Sequence, residues 1–195
     1  MIALDLDNTI ICYDAAFCAA AEANNCVPPA GLPVTKATVK AAAFASGGNE
    51  LWTKVQGLAY GTGIDHAKPY PGVLSFFNRA LELEQKLVIL SHKTEFPAIG
   101  PKVNLRTAAL DWLKKTHLNI PVVFADTREG KVQLLMSLEC EAIVDDLPAV
   151  FQTPVFPAFT QFILFDPTDE HPRWTHSQRA RSWDDVSALL LPIRK

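Results

Sequence analysis

Five short, largely apolar segments, each running into a polar residue, constrain this chain more than any other feature. Residues 1–4 lead straight into Asp5 and Asp7. Segment 86–90 ends at Ser91, 120–126 in Asp126, 142–146 in Asp145 and Asp146, and 161–166 in Asp166. None alternates apolar with polar residues as a half-solvated strand would. Each therefore reads as a strand covered on both faces, the usual state in a parallel sheet. Helical stretches separate them: one that follows Pro69-Tyr70-Pro71-Gly72 and runs to about residue 83, then 105–116 and 130–138. A last helix over 184–191 has Ser182 placed to cap it. Strand–helix alternation of this kind predicts an α/β fold with a parallel sheet and right-handed crossovers.

Residues 12–68 break the alternation. Helix is expected over 14–25, from its alanine content and its lack of Pro and Gly. The prolines of 26–33 end it. Two more helices follow, 34–45 and 50–60, separated by Ser46-Gly47-Gly48-Asn49. The block is expected to be a helical insertion, with a core built from 1–11 and 69–195. Trp52 and Tyr60 are expected to pack its helices together.

Composition excludes several function classes. At 49% hydrophobic and 20% charged, the chain is not globally disordered. Its net charge of -3 is spread without any Lys/Arg run, so neither nucleic acid nor an anionic membrane is an expected partner. Cys12, Cys18, Cys26 and Cys140 show no C-x-x-C or zinc-finger spacing. No apolar stretch reaches the roughly 18–20 residues of a membrane span, and the aspartates at 5 and 7 interrupt any leader pattern. These observations predict a reduced, soluble, cytoplasmic protein; its oligomeric state is not readable.

The chemistry is expected at the strand ends. Asp5 and Asp7 are spaced i, i+2, the repeat of a strand, so both carboxylates point one way if the extended run continues. Like charges that close need a shared proton or a cation. Mg²⁺ takes oxygen ligands, commonly one or two carboxylates with a substrate phosphate. Parallel sheets hold ligands beyond the C-terminal ends of their strands. Asp5, Asp7, Ser91, Asp126, Asp145 and Asp146 would gather there, with Lys131 supplying positive charge at the start of a helix.

Asp5-Leu6-Asp7-Asn8-Thr9, the helical insert, Pro-Tyr-Pro-Gly, a strand ending in Ser91, Lys131 and Ile-Val-Asp145-Asp146 occur in that order. In this the chain resembles the haloacid dehalogenase-like (HAD) hydrolase superfamily over nearly its whole length. The resemblance implies a Rossmannoid three-layer α/β/α core with a parallel sheet and a small helical cap over 12–68. It implies a Mg²⁺-dependent phosphatase of a small phosphorylated metabolite. Asp5 would be the nucleophile that forms an aspartyl-phosphate, and Asp7 the acid and base. Asp5, the backbone carbonyl of Asp7, and Asp145 or Asp146 (Asp146 favoured) would hold the metal. Ser91 and Lys131, with Asn8 and Thr9, would bind phosphate. Asp7 favours phosphoryl transfer over carbon–halogen cleavage, because a halide leaves without a proton and an alkoxide needs one.

Asn8 stands where glycine is frequent in the superfamily. His92-Lys93-Thr94 directly after the serine makes His92 and Lys93 candidates for the substrate, and Lys93 or Lys102 could compete with Lys131 for phosphate. His66, near the return from the insert, is a further substrate candidate. Two other functions fit the same residues: a phosphotransferase or mutase using the same aspartyl-phosphate, and a non-catalytic Mg²⁺-binding interaction protein. A response-regulator receiver shares the acidic pair, Ser/Thr and lysine, but its phosphoacceptor lies on the third strand, and no helical insert follows the first.

Overall fold

The computed structural model describes residues 1–191. Along the chain these form β1 (Ile2–Leu4), β2 (Ile11–Cys12), α1 (Asp14–Ala23), α2 (Lys36–Tyr60), a 3₁₀ turn (Thr62–His66) and β3 (Lys68–Pro69). Next come α3 (Val73–Glu82), β4 (Leu87–His92), α4 (Leu105–Lys115), β5 (Val122–Ala125), α5 (Arg128–Ser137) and β6 (Ala142–Asp145). The last are α6 (Pro148–Phe151), β7 (Gln161–Phe165), β8 (Gln178–Ala180) and α7 (Trp183–Leu190). They divide into two compact units. One comprises Met1–Ile11, Pro69–Lys93 and the chain from Leu118; the other comprises Cys12–Lys68 and Thr94–His117.

The first unit is a six-stranded parallel sheet in the order β5-β4-β1-β6-β7-β8. Successive residues of each strand point to opposite faces. Ala3, Val88, Leu90, Ile143, Phe162 and Leu164 meet Val132 and Leu135 of α5 in one buried cluster. Phe165 faces the other layer, where Trp183 of α7 lies 4.9 Å from Phe76 of α3 and 5.9 Å from Phe165, centroid to centroid. Helices therefore cover both faces of the sheet, in the expected three layers. Each fully buried Leu, Ile or Phe contributes ~1.5–3 kcal/mol, which is why the apolar strand runs are so legible in the sequence.

β8 is absent from the sequence expectation. Its residues, Gln178-Arg179-Ala180, form an edge strand with no apolar run to announce it. Gly72 holds φ at 88°, and a Cβ there would lie 2.9 Å from Cβ of Trp183, so glycine is required at the start of α3.

The second unit packs α1, α2 and α4 with the 3₁₀ turn. Phe17 stacks on Trp52 at 5.6 Å, and Tyr60 meets both Tyr13 and Phe17 edge-on. Trp52 and Tyr60 are thus packing residues, as expected. The helices expected over 34–45 and 50–60 both lie within α2, parted at Gly47 (φ -158°, ψ 18°) and Gly48 (φ 65°, ψ -155°), whose backbone is not helical. Trp112 of α4 is buried and donates to the carbonyl of Ala67 at 3.1 Å. Gly57 allows the backbone of Ile99 to approach, since a Cβ would lie 2.6 Å from that carbonyl oxygen. Among the described residues, no helix is long and apolar enough to cross a membrane.

Candidate active site

β1 lies inside the sheet, and the strand order reverses around it: β4 and β5 run outward on one side, β6, β7 and β8 on the other. In parallel sheets a crevice opens beyond the strand ends at such a switch point. Asp5 stands there, its N–H donating to the carbonyl of Val144 at 2.8 Å. The chain then folds back. The N–H groups of Ile10 and Ile11 both donate to Leu6 O, and Asn8, at φ 61°, donates to Ile11 O. Asparagine tolerates this left-handed conformation, which explains its use where glycine is frequent. The turn buries Thr9, whose hydroxyl donates to Asp5 Oδ2 at 3.3 Å.

Lys131 reaches this point from the first turn of α5, a helix capped by the Thr127 hydroxyl. Its ammonium is buried and donates to Asp5 Oδ1 and, at 2.6 Å, to Asp145 Oδ2. Asp145 Oδ1 accepts the N–H of Leu147 at 2.9 Å, so both oxygens of this fully buried carboxylate have protein donors. Burial alone would depress the lysine, but Asp145 and Asp5 outweigh it and hold the ammonium above its ordinary value. Asp5 moves upward, to about 7. Burial is the main cause, opposed by Lys131 and reinforced by Asp145 and Asp7. Asp5, Asp145 and Asp146 each offer an oxygen within 4.8 Å of the others. This is a hard, all-oxygen donor set of the kind that holds a divalent cation.

The end of β4 adds a hydroxyl and a second cation. Ser91 is buried, and its Oγ has no hydrogen-bond partner among the described residues. A buried polar atom left unsatisfied is costly, and a ligand is one explanation for keeping it. The ring of His92 contacts the carbonyl of Asp126 through Nε2 at 3.0 Å. Lys93 is buried, and its ammonium donates to Asp7 Oδ1 at 2.9 Å and Oδ2 at 2.8 Å.

Asp5, Asp7, Asn8, Thr9, Ser91, His92, Lys93, Lys131, Asp145 and Asp146 thus all belong to the sheet unit. His66 and Lys102 belong to the helical unit. There His66 lines a cavity of about 160 Å³ with Ala19, Ala20 and Leu58, and the Lys102 ammonium lies 5.9 Å from the Phe96 ring centroid.

Three solved structures share this architecture. A candidate phosphoglycolate phosphatase from Lactobacillus delbrueckii subsp. bulgaricus matches with a TM-score of 0.64 at 12% identity, over 98% of each chain. A HAD family hydrolase from Deinococcus radiodurans, with bound phosphate and sodium, matches at 0.60 and 12%, over 96% of this chain and 93% of its own. A HAD-superfamily hydrolase from Geobacter sulfurreducens matches at 0.56 and 15%, over 97% and 95%. The chain has the HAD hydrolase fold. No family model and no curated protein matches the sequence.

In this HAD-like sheet, the acidic pair after β1 and the acidic pair ending β6 come from neighbouring strands, which is why residues 140 apart in sequence form one cluster. The sequence marked Lys93 only by its place after Ser91. That its partner is Asp7 depends on β1 and β4 lying side by side, for which no sequence signal exists.

Proposed function

We propose that the chain is a Mg²⁺-dependent phosphatase that hydrolyses a small phosphorylated metabolite through an aspartyl-phosphate on Asp5. The observation that carries this reading is the Asp5, Asp145 and Asp146 cluster, in which the buried Lys131 bonds Asp5 and Asp145. Its oxygens lie within 4.8 Å of one another, close to the ~4.2 Å between opposite ligands of a Mg²⁺ ion bound at ~2.1 Å. Asp5, Asp146 and the backbone carbonyl of Asp7 would hold the ion. The two protein donors on Asp145 fit a supporting role for that residue. Bound there, the ion would offset the charge of the carboxylates and of the incoming phosphate.

The residues then divide the reaction. A carboxylate oxygen of Asp5 forms a bond to phosphorus while the ester P–O bond breaks, and Asp7 gives its proton to the departing alkoxide. Asp7, now a carboxylate, takes a proton from water as that water attacks phosphorus. The acyl-phosphate bond breaks, phosphate leaves and Asp5 is regenerated. Ser91 would donate its unpartnered hydroxyl to a phosphate oxygen, and Lys131 would stabilise the added negative charge. Asn8 and Thr9 would frame the phosphate, with Thr9 also holding Asp5. His66 and His92 are proposed substrate contacts, and the insert 12–68 the cap that limits substrate size. A small phosphate ester agrees with the net charge of -3 and the lack of a basic run. Free thiols at Cys18, Cys26 and Cys140 agree with a reducing, cytoplasmic setting. The phosphate bound by the Deinococcus hydrolase, and the activity attached to the Lactobacillus protein, support the phosphoryl substrate.

Phosphate release from p-nitrophenyl phosphate and a panel of sugar and nucleotide phosphates, with and without Mg²⁺, tests the reading. Metal-dependent turnover lost in Asp5→Asn is the expected result. A folded protein that binds Mg²⁺ and turns over none of the panel would overturn it.

A further inference from the structure

Lys131 serves Asp5 and Asp145; the second buried lysine serves a different carboxylate. Lys93 follows the C-terminal end of β4, with its N–H on the carbonyl of Ala125 at 3.3 Å. Its side chain, 3% exposed, extends to the end of the adjacent strand β1. There the ammonium bonds both oxygens of Asp7, at 2.9 and 2.8 Å. Burying an ammonium is costly unless it is paired, so this lysine is held in place by the carboxylate as much as it holds it. An aspartate has two rotatable side-chain bonds. A donor bonded to both oxygens fixes where the two point.

That constraint matters for what Asp7 is asked to do. A proton donor must stand about 2.6–3.2 Å from the leaving oxygen. The side chain of Asp7 is 19% exposed, and the two bonds from Lys93 set the direction of its oxygens.

We propose that Lys93 is the positioning residue of Asp7: it orients the carboxyl for proton transfer to the leaving group and does not itself hold the phosphate. The proposal rests on the phosphatase reading.

Its consequence is selective. A p-nitrophenolate departs without a proton, whereas an alkoxide needs one from Asp7. The value of kcat/KM reports the steps up to cleavage of the ester bond, before water is activated. With saturating Mg²⁺, Lys93→Met lowers kcat/KM about 10²-fold for an alkyl phosphate and less than about threefold for p-nitrophenyl phosphate. Asp7→Asn, which removes the acid itself, lowers activity on both esters and on the alkyl phosphate more steeply. Lys93→Arg, which keeps a charged double donor, recovers part of the alkyl activity. In the Asp7→Asn background, Lys93→Met adds no further selective loss.

The ratio of the two substrates on one preparation is independent of the fraction folded, so partial unfolding of the methionine variant does not blur the result. Lys93→Gln gives a second, milder variant. Equal losses on both substrates would assign Lys93 to the phosphate and overturn the proposal alone. A wild-type protein that turns over neither ester would overturn the phosphatase reading, and the proposal with it.

Discussion

Asp5→Asn should stabilise the metal-free protein, and increasingly so as pH rises. Burial, with Asp145 and Asp7 beside it, lifts the Asp5 carboxyl from 3.8 to about 7 against the opposing pull of Lys131. In the unfolded chain this group ionises near 4; in the folded, metal-free protein it keeps its proton to about 7. Folding therefore takes up a proton between those values, and stability falls as pH rises through the interval. Below the unfolded value both states are protonated and nothing is lost. Above pH 7 the loss levels off at a ceiling of ~4 kcal/mol, at 1.36 kcal/mol per pH unit. Asparagine has no such ionisation. Urea unfolding in EDTA should show the variant gaining ~2–3 kcal/mol on the wild type between pH 5 and pH 8. Mg²⁺ at pH 8 should raise the wild-type midpoint and leave that of the variant nearly unmoved. A difference between the two proteins that stays flat or shrinks from pH 5 to pH 8 would refute the reasoning.

Lys131→Met removes the ammonium shared by two buried carboxylates; a loss of ~3–5 kcal/mol is expected in metal-free urea titrations. Ser91→Ala deletes a hydroxyl that has no hydrogen-bond partner among the described residues. Its unfolding midpoint should change by less than ~0.5 kcal/mol equivalent, while inhibition by inorganic phosphate weakens measurably. Gly72→Ala forces a Cβ to 2.9 Å from Trp183 at φ 88°. It should cost ~1 kcal/mol or more in thermal or urea unfolding, with the loss tracking tryptophan fluorescence.

The parts of the fold legible in the sequence are those with a large local energy behind them. Four of the five strands with apolar runs lie inside the sheet, where both faces are covered, and 88–91 and Ala142–Asp145 are wholly buried. The fifth, Val122–Ala125, keeps an apolar run although it is an edge strand and only partly buried. β8 escaped notice because an edge strand needs no such run. The break at Ser46-Gly47-Gly48-Asn49 was visible as chemistry, and the backbone leaves the helical range at Gly47 and Gly48. Thr94–His117 clusters with the helical unit through Trp112, Gly57 and the 3₁₀ turn, contacts that no local pattern encodes.

The same division holds at the site. By itself the sequence determined the chemical inventory: paired aspartates at the ends of the first and fourth apolar segments, a serine, and lysines at 93 and 131. Spacing along a strand and helix-start chemistry are local properties, set within a few residues. Which carboxylate each lysine serves was decided only by tertiary structure. β1 lies between β4 and β6, and this places Lys93 against Asp7 and brings Lys131 between Asp5 and Asp145. The physical reason is the range of the interaction. Hydrogen-bonded ion pairs act over about 3 Å, and strand order alone determines which residues far apart in the chain come that close.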